Sequence, residues 1–117
     1  MTAAINWFHL LLVVPVLLYI INFPTIISST SYNVLFITLA IVYLSLFKKL
    51  IDLQPTVQMY EYKKMILWMH LLLILPLMLY ISSVGITNQT VPRRYYEFVW
   101  MFVFAAIGYH AFNLVRY

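Results

Sequence analysis

Four long apolar segments dominate this chain, and the first of them, Ile5–Phe23, contains no charged residue. The other three cover about Tyr32–Phe47, Met65–Ile81 and Tyr95–Val115. A helix of about 20 apolar residues spans the roughly 30 Å hydrocarbon core of a bilayer. A backbone that crosses lipid must also satisfy its own hydrogen bonds, as a helix does. The segments therefore predict an all-α integral membrane protein, a four-helix bundle whose main partner is the lipid bilayer.

Composition narrows the function classes. Of the 117 residues, 65% are hydrophobic and 9% are charged, whereas a soluble domain is roughly 25% charged. The formal net charge of +4 is too small to form a basic surface that binds nucleic-acid phosphates. We therefore expect no nucleic-acid partner. The chain has no cysteine, and its pattern offers no nucleophile with a base and no converging carboxylate pair. We therefore expect no enzymatic activity.

The basic residues predict the orientation. Lys48, Lys49, Lys63, Lys64 and Arg116 fall on the side of the two termini and the central loop, and Arg93 and Arg94 fall on the other side. Five against two places both termini in the cytoplasm by the positive-inside rule. The tripeptide Asn88-Gln89-Thr90 matches a glycosylation sequon in the loop predicted to lie outside.

One segment of the sequence occurs twice. Residues 7–20 read WFHLLLVVPVLLYI, and residues 68–81 read WMHLLLILPLMLYI, with Trp, His, Pro and Tyr at identical spacing. A fainter match relates Ala40–Leu44 to Ala106–His110. These matches predict one transmembrane domain over residues 1–117, built from two tandem helix hairpins: repeat 1 over about 1–50 and repeat 2 over about 62–117. Each repeat holds two spans, so the pseudo-two-fold axis is expected along the membrane normal.

The repeated residues form three pairs: Trp7 and Trp68, Pro15 and Pro76, and Tyr19 and Tyr80. The tryptophans are predicted to anchor helix ends at the cytoplasmic interface. Each proline removes a backbone donor near the middle of a span, so the prolines either shape the packing alone or also open a small cavity. The tyrosines are predicted interface residues whose hydroxyls also suit a freed carbonyl.

Three histidines are predicted to lie at one depth. His9, His70 and His110 each stand about five residues from the cytoplasmic end of a different span, roughly 6–8 Å below the surface at 1.5 Å per residue. Leu44 takes the matching position in the remaining span, and Asn113 is placed to orient the imidazole of His110. A layer of this kind suits copper or zinc, a haem, or protons and small ions in a channel or transporter. Simple packing is the alternative reading of the same three residues.

The chain resembles a family of small four-span membrane proteins encoded by giant DNA viruses. The resemblance is carried by the repeated Trp-x-His…Pro…Leu-Tyr-Ile and by Pro92–Glu97 leading to Phe104–His110. It implies a viral origin and a tandem-hairpin build, and it implies no activity. In the family pattern a Tyr-His pair closes the first repeat, whereas this chain has Tyr43-Leu44, so a site of four imidazoles is not expected.

Two functions follow as hypotheses. The first is a binding or transport bundle that works through the histidine layer. The second is a non-catalytic structural or assembly component of a viral or host membrane. In either case the small residues Ala105, Ala106, Gly108 and Ala111 allow close helix approach, inside the bundle or between the protomers of a homo-oligomer.

Overall fold

A computed structural model describes residues 3–52 and 60–116, with side chains of the second range from residue 64 onward. Residues 53–59 of the predicted central loop and the side chain of Lys63 therefore lie outside the described residues. Four long helices account for most of the described chain: α1 (Ala3–Asn22), α2 (Ser29–Asp52), α3 (residues 60–86) and α4 (Arg93–Arg116). The all-α prediction is confirmed for these ranges. The second and third spans were predicted too short, because α2 continues through polar residues at both of its ends and α3 continues to Ile86.

The helix ends follow from local sequence. Ser28 caps α2, since its Oγ accepts a hydrogen bond from the backbone N–H of Ser31 at 3.1 Å. Pro24 stands two residues beyond the last residue of α1, where proline commonly follows a helix end. At the end of α3, Asn88 adopts a left-handed φ of 61°. The N–H groups of Asn88 and Gln89 return to the carbonyls of Gly85 and Val84, a Schellman motif.

Both helices that carry the repeated sequence widen at the same point. His9–Val13 in α1 and His70–Ile74 in α3 are π-helical. The backbone N–H of Val14 donates to the carbonyl of His9, five residues back, and α3 closes its π segment in the same way. In each case proline stands two residues beyond the π segment. Because proline has no N–H and its ring crowds the carbonyl four residues earlier, a locally wider turn accommodates it.

The chain divides into two compact units that differ from the sequence repeats. The terminal unit, Met1–Ile27 with Val91–Tyr117, pairs α1 with α4. The central unit, Ser28–Thr90, pairs α2 with α3. Since α1 corresponds to α3 and α2 to α4 in the sequence repeat, each unit joins one helix of each type, taken from different repeats.

Corresponding positions of α1 and α3 are buried in the two units. In α1 the buried residues are Asn6, Val14, Leu17 and Ile20. The residues of α3 that match them in the sequence repeat are all buried as well: Leu67, Leu75, Met78 and Ile81. The intervals of eight and three residues place them on one helix face. The repeated sequence therefore presents the same stripe to its partner helix in each unit.

The central unit is closed by a tight contact at Gly85. A Cβ atom built at Gly85 would overlap the ring of Tyr32, a buried residue of α2. Nearby, the hydroxyl of Ser29 donates to the carbonyl of Ile86 at 2.6 Å and joins the start of α2 to the end of α3. Glycine is needed at this position because the ring of Tyr32 occupies the space of a side chain.

Candidate functional site

A buried polar contact joins the two helices of the terminal unit. Asn6 on α1 is 0% exposed and His110 on α4 is 6% exposed. The ring Nδ1 of His110 lies 2.8 Å from Oδ1 of Asn6. Buried polar side chains in an apolar setting are stable when they are hydrogen-bonded to each other. This contact therefore fixes the ring of His110 against α1.

His9 lies on the same site one turn further along α1. Its imidazole stacks on that of His110, with ring centroids 4.2 Å apart and an interplanar angle of 18°. Its Nδ1 lies 2.8 Å from the carbonyl oxygen of Ile5, one turn back in the same helix. The edge of the stack is completed by Tyr109, whose ring meets His110 at 5.0 Å and 82°. The first and last helices thus bring two of the three predicted histidines into direct contact.

These two hydrogen bonds indicate which nitrogen of each ring donates. The carbonyl oxygen of Ile5 and the amide oxygen of Asn6 can only accept. The nitrogens that face them, Nδ1 of His9 and Nδ1 of His110, are therefore the donors in both bonds. A neutral imidazole carries one N–H, so each ring has its basic lone pair on Nε2.

The other predicted site residues differ in their placement. Asn113 is buried in the terminal unit, one turn beyond His110, and its role in orienting that ring stays a prediction. His70 lies in the central unit, where its Nδ1 is 2.8 Å from the carbonyl of Ile66, the bond that His9 makes in α1. It is half-buried at the start of its π segment.

The paired aromatic residues are exposed on the described chain. Trp7, Trp68, Tyr19 and Tyr80 each show between 40% and 51% of their surface. This exposure is compatible with their predicted interface position. The ring of Tyr19 packs against that of Phe23 at 5.3 Å. Pro15 and Pro76 follow the two π segments, so their effect on local helix geometry is visible, and the predicted cavity stays a prediction.

The ring geometry is unfavourable for one metal ion shared by His9 and His110. A bound zinc lies about 2.0–2.1 Å from each ligating nitrogen, along its lone pair. Lone pairs lie in the ring planes, and two planes only 18° apart direct them side by side rather than toward one point. Among the described residues, no group of three or more histidine, cysteine or acidic side chains is arranged to hold a metal ion.

Sequence reasoning missed Asn6, the partner that positions His110. The signal was present as two mirrored patterns, Asn6-x-x-His9 at the start of α1 and His110-x-x-Asn113 at the end of α4. In antiparallel helices these spacings bring the histidines to one level and the asparagines to the next. A polar residue inside an apolar span is itself an indication of an interior position.

No family model, curated protein or solved structure matches this chain. The site is therefore interpreted from its own geometry.

Proposed function

We propose that this chain is a small four-span membrane protein that handles protons through the His9–His110 pair of its terminal unit. The observation that carries the proposal is the stack of two imidazoles at 4.2 Å, joined to the buried Asn6. Ionisable residues inside membrane spans are rare, and they mark ion and proton pathways when they face the interior.

Membrane insertion is supported by the length and composition of the helices. The four spans have 20, 24, 23 and 24 residues and mean hydropathies of 2.2, 2.1, 2.1 and 1.7. A helix of 20 residues is about 30 Å long, the thickness of the bilayer core. Large apolar side chains such as Leu11, Leu72 and Phe104 are more than 60% exposed, as expected for a surface that meets lipid.

Both termini are proposed to be cytoplasmic, on the count of five basic residues against two. Because the chain has no cysteine, single cysteines introduced one at a time report the sidedness cleanly. Thr90→Cys is expected to react with an impermeant maleimide from outside intact cells, whereas Asp52→Cys is expected to react only after lysis. The reverse pattern would contradict this orientation.

The tandem duplication is supported by the structure as well as by the similarity of the two sequence segments. The two π segments start at corresponding histidines, and the buried stripes of α1 and α3 coincide after the repeat shift. Chance similarity between two leucine-rich helices would not reproduce both features. We propose that repeat 1 and repeat 2 descend from one ancestral helix hairpin.

Protons fit this pair better than a metal ion or a haem. The near-parallel lone pairs do not converge on a metal, as argued above. Two histidines that share a haem iron lie on opposite faces of the porphyrin, whereas these rings lie against each other with no layer between them. A histidine exchanges protons near neutral pH without any change of ligand geometry.

Reconstitution tests the proposal. Purified protein is placed in liposomes that contain a pH-sensitive dye, and a potassium gradient with valinomycin drives protons across the membrane. The wild-type protein is expected to carry protons well above protein-free liposomes. His110→Gln keeps a polar side chain but removes the titratable ring, and it is expected to reduce the flux at least tenfold.

Two further variants complete the design. Leu44→Gln introduces the same amide at the repeat-related position of the central unit, and it is expected to leave the flux unchanged. His70→Gln tests the predicted three-histidine layer, since a loss of flux equal to that of His110→Gln would include His70 in the pathway. Wild-type flux no greater than that of empty liposomes, or equal flux in His110→Gln, would overturn the proton function and favour a structural membrane component.

A further inference from the structure

We propose that His9 and His110 store a single proton between them, gained and lost at Nε2, with Asn6 as the residue that positions the stack. This inference deepens the proposed proton function and rests on it. It specifies how many charges the site holds and through which atoms they enter.

The entry atom follows from the two fixed hydrogen bonds. Nδ1 of His9 donates to the carbonyl of Ile5, and Nδ1 of His110 donates to the amide oxygen of Asn6, both at 2.8 Å. A ring whose Nδ1 already carries a hydrogen accepts its next proton on the Nε2 lone pair. Protonation then converts imidazole to imidazolium without breaking either bond.

The limit of one proton follows from the stack. Two imidazolium rings with centroids 4.2 Å apart would repel each other. One imidazolium against one neutral ring is different, because the neutral π face attracts the cation. The geometry therefore favours the singly charged pair and disfavours the doubly charged pair.

Titratable and charged groups on α4 bear on the charge of the pair. On α4 the neighbouring Tyr109 meets His110 by its ring. The guanidinium of Arg116, two turns beyond, lies over the ring of Phe112 and is itself a cation. The side-chain carboxylate of the described terminal unit is that of Glu97, which pairs with Arg93 at the opposite end of α4.

Asn6 acts as a positioning residue because its side chain contacts the ring of His110 through a hydrogen bond and takes no proton itself. The amide oxygen holds His110 in the tautomer and orientation that the stack requires. Leu67, which occupies the corresponding position of the central unit, has no group that can do this. Asn6→Leu therefore removes the acceptor while keeping a side chain of the size found in the other unit.

Nitrogen-15 NMR of the protein with labelled imidazoles, in liposomes between pH 8 and pH 5, tests the inference. His9→Gln, His70→Gln and His110→Gln assign the three ring signals. At pH 8 both rings of the pair are expected as the Nδ1–H form. On acidification the pair is expected to take up one proton in total, while its rings remain in contact.

Two variants sharpen the result. Asn6→Asp keeps an oxygen acceptor and is expected to preserve the Nδ1–H form of His110, whereas Asn6→Leu is expected to lose the fixed tautomer. Proton flux measured in the same variants separates the effect of ring orientation from the effect of removing the ring. Asn6→Leu should lower the flux while leaving His110 titratable.

The outcomes distinguish this inference from the proposed function. Uptake of two protons by the intact stack, or an Nε2–H form at pH 8, would overturn the single-proton inference even if the protein carries protons across liposomes. One shared proton with no transmembrane flux would overturn the proposed function while the inference about the pair stands.

Discussion

The two units use the same helix face for different interiors. In the terminal unit the stripe of α1 places Asn6 against α4. There the hydrogen bond to Asn6 fixes the orientation of the His110 ring. In the central unit the same stripe of α3 places Leu67 at that position, and the closest approach moves to the other end, at Gly85 and Tyr32. A polar layer near one end characterises the first pair, and close backbone packing characterises the second.

The difference shows how a repeated helix acquires a site. The π segment and its histidine are present in both units, and both histidines make the same bond to the carbonyl four residues back. The interior polar contact depends on two further residues, Asn6 and His110, on different helices. A histidine at the right position therefore becomes part of a buried pair only where the partner helix supplies a second polar group.

Moving the polar residue into the central unit gives the largest expected effect. Leu67→Asn buries an amide where the wild-type side chain is apolar, and it also removes apolar packing. We expect a loss of about 3 kcal/mol in the free energy of unfolding, measured by reversible denaturation in mixed micelles. Leu67→Met conserves volume and should cost less than about 1.5 kcal/mol. Equal stability of the two variants would show that this position is not an apolar interior site.

Substitution of two glycines by alanine tests the close contact between Gly85 and the ring of Tyr32 in the central unit. Gly85→Ala forces the ring of Tyr32 away and should destabilise the protein by about 2 kcal/mol. Gly108→Ala is the matched control, since a Cβ there meets no atom of the described residues within 4 Å. Alanine is the better helix former, so this variant should be neutral or more stable by up to about 1 kcal/mol. If both variants behaved alike, the tight packing at Gly85 would be wrong.

The polar contact of the terminal unit is expected to be weaker. Asn6→Leu should cost about 1 kcal/mol, because interhelical hydrogen bonds in membranes have modest net strength. In a double-mutant cycle, Asn6→Leu with His110→Leu should cost less than the sum of the single variants. Additive effects would mean that the two side chains do not interact in the folded protein.

The smallest effect is expected where α3 ends. Asn88 holds a left-handed φ of 61°, a conformation that glycine adopts without strain and alanine does not. Asn88→Gly should stabilise the protein by about 0.5 kcal/mol, and Asn88→Ala should destabilise it by about 1 kcal/mol. Thermal unfolding of the two variants in detergent measures both signs, and a more stable alanine variant would contradict the Schellman ending.

Much of the fold follows from apolar segment length alone. The four helices were predicted in the right places, with the ends of α2 several residues too short, since polar flanking residues do not stop a helix at the interface. Local geometry was harder to anticipate. Pro15 and Pro76 indicated an irregular turn, but the π form depends on how the preceding carbonyls are satisfied.

The site was predicted in part. Helix direction and spacing indicated that His9 and His110 lie at one level, and the structure places them in contact. Asn6 was missed because it is not ionisable, although an amide is also costly to bury without a partner. The pairing of α1 with α4 could not be predicted, because the repeated stripe fits either partner helix.

The most direct test of the account is the contact between the two rings. Solid-state NMR of the protein in liposomes, with carbon-13 and nitrogen-15 in its histidines, detects through-space transfer between imidazoles. The account predicts a cross-peak between the rings of His9 and His110, as their 4.2 Å separation requires, and its disappearance in His9→Gln. Well-resolved signals from both rings with no cross-peak between them would contradict the central claim.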